Sequence, residues 1–162
     1  DKRMRVGFGY DIHQLKAGRP CILGGVHIES DLGPDGHSDA DVLIHALMDA
    51  MLGAAGLRDI GYYFPPEDDQ YKGISSMLLL EKVNFLLKER GLQAYNIDIM
   101  VISETPKLKP HIDMMKSNLQ SILEIPLDRI SIKATTNEML GAIGRREGIA
   151  AQAVVSVYEG EI

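Results

Sequence analysis

The stretch Met4-Arg5-Val6-Gly7-Phe8-Gly9-Tyr10-Asp11-Ile12-His13-Gln14-Leu15 reads as a strand that carries Gly7 and Gly9. Side chains two residues apart on a strand project to the same face, so Asp11 and His13 share one. A turn through Gly18-Arg19-Pro20 comes next. Residues 21–28 then read as a second strand, with Gly24-Gly25 inside it as a bulge or a close backbone approach. Residues 29–36 are rich in turn formers. Ser38 with Asp41 reads as a capping box opening a helix that runs to about Ala54.

Outward from there, residues 59–73 carry glycine, proline and acidic residues and read as an exposed loop. Residues 75–90 show helical spacing (Leu78, Leu79, Val83, Leu86, Leu87) and stop at Gly91. Strands are expected at 95–102, 129–134 and 149–158, a third helix at 112–123 stopped ahead of Pro126, and a helical turn at 137–140. The order ββ-α-α-β-α-β-β predicts an α+β single domain over 1–162, a mixed β-sheet with helices on one face.

The chain has 162 residues, enough to bury a real core. Lys plus Arg number 17 against 23 Asp plus Glu, a formal charge of -6. That balance argues against a nucleic-acid partner, which needs broad phosphate neutralisation, but not against one small anionic ligand. One cysteine, Cys21, leaves no internal disulfide and fits a reducing compartment. No apolar run is long enough for a bilayer and no signal-peptide pattern opens the chain, so no membrane partner is expected. The expected location is the bacterial cytoplasm, or a plastid if a transit peptide has been removed.

His45 lies on the first helix with Asp41 one turn before it and Asp49 one turn after, forming a column on one side. If the strand face meets this column, two imidazoles and a carboxylate converge, a set that suits Zn²⁺ with its fourth position open. Asp41 or Asp49 would then orient His45 from behind. The same residues also suit two ordinary hydrogen-bonded histidines and a solvated aspartate, so the spacing alone leaves both readings open.

Several segments suit an anion. His37-Ser38 sits where a loop enters a helix, whose first N–H groups can face a negative charge or simply be capped. Lys133-Ala134-Thr135-Thr136-Asn137-Glu138 gathers two hydroxyls, a base and an acid at a strand end. That cluster can hold phosphate oxygens while its carboxylate carries Mg²⁺, or it can be a turn that caps a short helix after it. Gly141-Ala142-Ile143-Gly144-Arg145-Arg146-Glu147-Gly148 is glycine-rich and basic without the order of a Walker loop. Either arginine can clamp phosphate, and a plain surface turn has the same composition. Pro106-Lys107-Leu108-Lys109-Pro110 stiffens a strand-to-helix connection whose backbone can read a base edge.

In this order, Gly9-Tyr10-Asp11-Ile12-His13, Gly24-Gly25-Val26, His37-Ser38-Asp39-Ala40-Asp41-Val42, His45-Ala46-Leu47, Asp59-Ile60-Gly61 with Phe64-Pro65, Pro106-Lys107, Lys133-Ala134-Thr135-Thr136 and Gly148-Ile149-Ala150 resemble the 2-C-methyl-D-erythritol 2,4-cyclodiphosphate synthases. The resemblance runs nearly end to end. It implies a cyclising lyase of the non-mevalonate isoprenoid pathway. Its substrate would be a cytidine diphosphate, 4-CDP-2-C-methyl-D-erythritol 2-phosphate, and its products the cyclodiphosphate and CMP.

It further implies that Asp11, His13 and His45 hold one Zn²⁺ per subunit, and that Glu138 sits beside a second divalent ion, Mg²⁺ or Mn²⁺, on the diphosphate. His37 and Thr136 would stabilise the transition state. Asp59 and Gly61 would receive the ribose, with Ile60 between them in the substrate-binding set. The stretch from Ser103 to Lys109, with Ser103, Pro106, Lys107, Leu108 and Lys109 as its substrate contacts, would form the cytosine pocket, with Thr135 nearby on the phosphates and Asn137 also in the substrate-binding set. Ser38, Phe64, Asp68, Ala142 and Arg145 complete the substrate-binding set. Members of the family are homotrimers with the sheets toward the three-fold axis, so metal ligands and base pocket would come from different chains. Ala142 stands where many members place a phenylalanine lining a central cavity, and Arg146 replaces a common glycine. Two other readings stay open at the level of residues: a metal-dependent phosphohydrolase using water at the same site, and a non-catalytic nucleotide-binding trimer.

Overall fold

Glycine at positions 7 and 9 decides how the fold closes. In the computed structural model, which describes residues 3–160, strand β1 (Met4–Ala17) runs under helix α1 (Val42–Ala54). A Cβ on Gly7 would stand 1.8 Å from the carbonyl oxygen of Ala50, and one on Gly9 would stand 1.9 Å from that of Ala46. Ala46 and Ala50 are one turn apart on the same side of the helix. Small residues on both partners thus let the helix backbone lie directly on the strand. The helix is apolar nearly all round, with Asp49 half-buried and Gly53 exposed, as expected of an element enclosed on every side.

The chain reverses through β2 (Cys21–Leu23) and β3 (Val26–Ile28), an antiparallel pair. A short edge strand, β4 (Leu32–Pro34), then pairs with the end of β1. After α1 come a short helix α2 (Ile60–Tyr63) and a longer one, α3 (Ser76–Glu89), followed by β5 (Leu92–Ile102). Helix α4 (Ile112–Leu123), β6 (Ile130–Thr135), a single-turn helix α5 (Gly141–Gly144) and β7 (Gly148–Glu159) complete the order. The main sheet runs β4-β1-β7-β5-β6. It is mixed: β7 is antiparallel to both β1 and β5, and β6 is parallel to β5.

Helices α1, α3 and α4 pack on one face of this sheet, where Ile97, Ile99, Val101, Ala153 and Val155 are buried beneath them. Among the described residues, none of the three long helices lies on the other face. It exposes Met4, Val6, Phe8, Tyr10 and Ile12 of β1 with Val154 of β7, each between 44% and 61% accessible. The α+β reading, with a mixed sheet and helices on one face, therefore agrees with the structure. The expected domain 1–162 includes residues 1–2 and 161–162, which lie outside the described residues. No described helix is long and apolar enough to cross a membrane.

Four local expectations are corrected. Residues 21–28 are two strands, because Gly24 and Gly25 both take left-handed conformations (φ +57° and +73°) and make a two-residue hairpin turn. Residues 29–36 contain the edge strand β4. The cap of α1 is Asp41, whose carboxylate accepts from Ile44 N–H at 3.2 Å; Ala40 has φ +58°, which stops any helix from starting at Ser38. Residues 137–140 are no helical turn: Glu138 and Met139 are both left-handed, closing a tight reversal with Leu140 N–H donating to the Asn137 carbonyl at 2.9 Å.

Candidate functional site

Because α1 lies against β1, His45 arrives beside Asp11 and His13. Nε2 of His13 stands 2.8 Å from Asp11 Oδ2, and Nδ1 of His45 stands 3.2 Å from the same oxygen. The two ring nitrogens are 3.3 Å apart. Proton accounting decides what these three atoms are. His13 Nδ1 lies 3.0 Å from the Asp35 carbonyl, which can only accept, so the ring proton sits there and Nε2 turns a lone pair inward. His45 Nε2 lies 2.9 Å from Ser76 Oγ, and Ser76 donates its one proton to Asp39. The serine oxygen must therefore accept from His45, and Nδ1 also turns a lone pair inward.

Asp11 Oδ2 is consequently buried with no hydrogen-bond donor, facing two nitrogen lone pairs. A cation resolves this. Ligand bonds of about 2.0–2.1 Å in a tetrahedron put ligand atoms about 3.3 Å apart, close to the spacings found. Two imidazoles and one carboxylate are a set that suits zinc and leaves a coordination position open. The charges agree. In the metal-free chain a protonated imidazole can stand in for the cation: burial works against ionised Asp11, but donation and charge from His13 and His45 in that form outweigh it and hold the carboxyl below its usual range. Burial likewise works against a charged His13, and Asp11 outweighs it, drawing the ring's pKa up. The pocket favours positive charge at this point.

The aspartates expected to orient His45 have other work. Asp41, fully buried, accepts from Gly24 N–H at 3.0 Å and Gly25 N–H at 2.8 Å besides capping α1, so it fastens the hairpin to the helix. Burial, with the Asp39 charge second, pushes its carboxyl up to about 6. Asp49 accepts from Ile60 N–H at 2.8 Å and holds α2 to α1. Ser76 and Asp39, not singled out in the sequence, stand behind His45 instead. The serine opening α3 and the acid two residues beyond His37 are the only local signal for them. Gly36 packs on the His13 ring, where a Cβ would come within 3.0 Å.

A cleft of about 220 Å³ opens beside the triad, lined also by His37, Ser38, Ile60, Gly61 and Phe64. His37 Nε2 is steadied by the Asp68 carbonyl at 3.0 Å. The Asp68 carboxylate turns away to Gln70. Asp59 caps α2 through Tyr62 N–H at 3.2 Å. A second cleft, of about 430 Å³, is lined by Ser103, Pro106, Lys107, Leu108, Lys109, Thr135, Thr136 and Glu138. Its walls are pinned by Glu104, inside the stretch expected to form the base pocket but given no role of its own, which accepts from Asn137 N–H at 2.7 Å and Met139 N–H at 3.0 Å. The Thr105–Pro106 peptide bond is cis. Asn137, Asp59, Asp68, Ala142 and Arg145 line neither cleft; Arg145 pairs with Glu147, and Ala142 is exposed on α5.

The two clefts are apart in one chain. Asp11 pairs with Ala151, Ala151 with Val101 and Val101 with Ala134. Val101 already lines the second cleft, so two strand spacings, about 10 Å, separate its near wall from Asp11.

The YgbB family model matches residues 4–158. A 2-C-methyl-D-erythritol 2,4-cyclodiphosphate synthase of Synechococcus elongatus is 59% identical over 152 residues, 94% of this chain and 95% of that one. Among solved structures, the bifunctional IspDF of Campylobacter jejuni superposes with a TM-score of 0.95 at 42% identity over 99% of this chain, which spans 44% of that protein. A CDP-bound 2C-methyl-D-erythritol-2,4-cyclodiphosphate synthase superposes with a TM-score of 0.86 at 38% identity, over 93% of this chain and 98% of the other. With the matched segment holding the triad and both clefts, the chain belongs to the YgbB family, the 2-C-methyl-D-erythritol 2,4-cyclodiphosphate synthases, phosphorus–oxygen lyases of isoprenoid biosynthesis.

Proposed function

We propose that the chain converts 4-CDP-2-C-methyl-D-erythritol 2-phosphate to 2-C-methyl-D-erythritol 2,4-cyclodiphosphate and CMP. The observation that carries this reading is the donor-less Asp11 oxygen facing two inward lone pairs beside an open cleft, in a family with a CDP-bound relative. An oxygen of the 2-phosphate attacks the β-phosphorus, forming a P–O bond. The bond from that phosphorus to the oxygen bridging to CMP breaks, and CMP leaves with the oxygen. The nucleophile is already anionic, so no side chain has to remove a proton from it.

The barrier is electrostatic, since anionic groups must meet in line. A Zn²⁺ on Asp11, His13 and His45, with Mg²⁺ or Mn²⁺ beside Glu138, would offset that repulsion. His37, Ser38 and Thr136 supply donors to the charge that develops; deleting one such donor lowers kcat about 10²-fold or more. Ile60, Gly61 and Phe64 form the wall where the ribose rests, with Asp59 at its edge. Ser103, Pro106, Lys107, Leu108 and Lys109 take the cytosine, and Thr135 and Asn137 the phosphates. Asp68, Ala142 and Arg145 border the assembled site.

One diphosphate cannot touch both clefts of a single chain about 10 Å apart. The bare apolar sheet face supports the arrangement that removes this gap, a homotrimer with its sheets toward the three-fold axis and each metal cleft completed by a neighbour's base cleft. The lone buried Cys21 supports a reducing location such as the bacterial cytoplasm or a plastid stroma. The test is incubation of the substrate with Zn²⁺ and Mg²⁺ in ¹⁸O-water, followed by phosphorus NMR and mass spectrometry. The cyclic diphosphate and CMP, both free of ¹⁸O, are expected. Linear products carrying ¹⁸O would instead show a phosphohydrolase.

A further inference from the structure

The chain of hydrogen bonds behind His45 ends on a carboxylate, and each link has only one direction. Asp39 Oδ1 can only accept, so Ser76 Oγ gives it its proton. The same carboxylate holds Ser76 from a second side, Oδ2 accepting from Ser76 N–H at 2.9 Å. Ser76 is fully buried at the first position of α3, so its oxygen has no freedom to turn elsewhere. Its remaining lone pair faces His45 Nε2 at 2.9 Å. The proton of His45 is thereby fixed on Nε2, which leaves Nδ1 as the metal-facing atom.

A second hydroxyl competes for the same ring atom. Ser38 Oγ lies 3.2 Å from His45 Nε2 and accepts from Ala40 N–H at 3.2 Å. Because Nε2 carries a proton, Ser38 cannot donate to it. Among the described residues no acceptor takes the Ser38 hydroxyl proton, and Ser38 lines the metal cleft.

We propose that Asp39 and Ser76 are positioning residues that lock His45 in its Nε2–H form, so that Nδ1 binds the metal and the Ser38 hydroxyl stays free to donate to a substrate phosphate. This rests on the metal reading of Asp11, His13 and His45. Outer partners of a ligating histidine typically change metal affinity by about 10–100-fold, and the Asp39–Ser76 pair is expected to fall in that range. Neither residue touches the metal or the substrate.

The experiment reads zinc binding, by competition with a chromophoric chelator, for the parent, Ser76→Ala, Asp39→Asn and His45→Ala. Thermal unfolding of each metal-free protein checks the fold. Nitrogen NMR of ¹⁵N-histidine-labelled, zinc-loaded parent reads the His45 tautomer directly. The expected result is Nε2–H in the parent and zinc affinity about 10–100-fold weaker in Ser76→Ala, measured at a temperature where the metal-free variant, with its somewhat lower Tm, is still fully folded. Asp39→Asn should weaken zinc in the same direction. Affinity within twofold of the parent in both folded variants overturns the positioning role, as does a His45 spectrum with the proton on Nδ1. That spectrum decides the matter even where a variant fails to fold. If the parent itself binds no zinc, or His45→Ala binds it as the parent does, the metal reading falls first and this inference with it.

Discussion

Substituting Gly9 by alanine should open the metal site from a position that touches no ligand. The added Cβ would lie 1.9 Å from the Ala46 carbonyl oxygen and 2.8 Å from Ala50 N, both backbone atoms. Ordinary contact begins near 3.4 Å, so α1 must retreat by about 1.5 Å at that turn. His45 is the next residue along, and its Nδ1 is 3.2 Å from Asp11 Oδ2. A metal site tolerates errors of about 0.2 Å in ligand distance, far less than this retreat.

Two effects are therefore expected together. Overpacking costs about 1–3 kcal/mol, which for a domain of this size lowers the metal-free Tm by about 2–12 °C. Zinc affinity falls at least about tenfold. Calorimetric unfolding with and without chelator, plus a zinc competition titration, measures both. Gly53→Ala is the control on the same helix: a Cβ there meets nothing within 4 Å, so stability should rise by about 0.5–1 kcal/mol with zinc affinity unchanged. A Gly9→Ala protein with parental Tm and zinc affinity would refute the account of how the helix seats His45.

Asp41 is an acid whose folded pKa, pushed up to about 6 by burial, lies above its unfolded value of 3.8. The folded chain holds the extra proton between these values, so this group's contribution to stability falls as pH rises from about 4 to about 6 and stays low above, by about 3 kcal/mol in all. Urea unfolding of metal-free parent and Asp41→Asn should show the parent losing that much relative to the variant across the window; a difference that does not vary with pH would exclude it. The Cys21 thiol, 2% exposed and pushed up to about 11 by burial, should resist iodoacetamide at pH 8 in the folded protein and react fully in denaturant. Removing the carboxylate that accepts from two backbone amides with Glu104→Ala should weaken CDP binding about tenfold or more by calorimetry, and leave zinc affinity unchanged because the metal ligands on β1 lie two strands away from β5.

The sequence made the period-2 and period-3.6 segments legible, and with them the sheet and its three long helices. Hydrophobic spacing reports which face is buried, which put Asp11 with His13 on one strand face and His45 on one helix face; that the two faces meet was implied only by the family resemblance. It does not report the sign of φ. Ala40, Glu138 and Met139 all sit in left-handed backbone without being glycine, and two of the corrected expectations, a cap at Ser38 and a helical turn at 137–140, fall on those residues. Gly24-Gly25 carries a signal for a bulge or a close backbone approach; the close approach is present, with a Cβ on Gly24 coming within 2.7 Å of the Met115 side chain, but the pair is a hairpin turn and not a bulge inside one strand.

The orienting partners of His45 were misassigned for a different reason. Helical spacing put Asp41 and Asp49 one turn to either side, the only neighbours that local sequence can see. The residue that holds the ring, Ser76, is 31 positions away on another helix, and it reaches His45 because Asp39 draws the start of α3 onto the loop before α1 through Ser76 N–H and Oγ. Asp41 meanwhile ties the same loop's far side to the β2–β3 hairpin. Two aspartates in one short segment thus fasten α1 to α3 and to the hairpin, while Gly7 and Gly9 fasten it to the sheet. The metal ligands have no independent freedom once these contacts form, so their geometry is a property of core packing. Substitutions that move α1 should therefore register as lost metal affinity before they register as lost fold, since a ligand set fails at a few tenths of an ångström whereas the core yields over a larger shift.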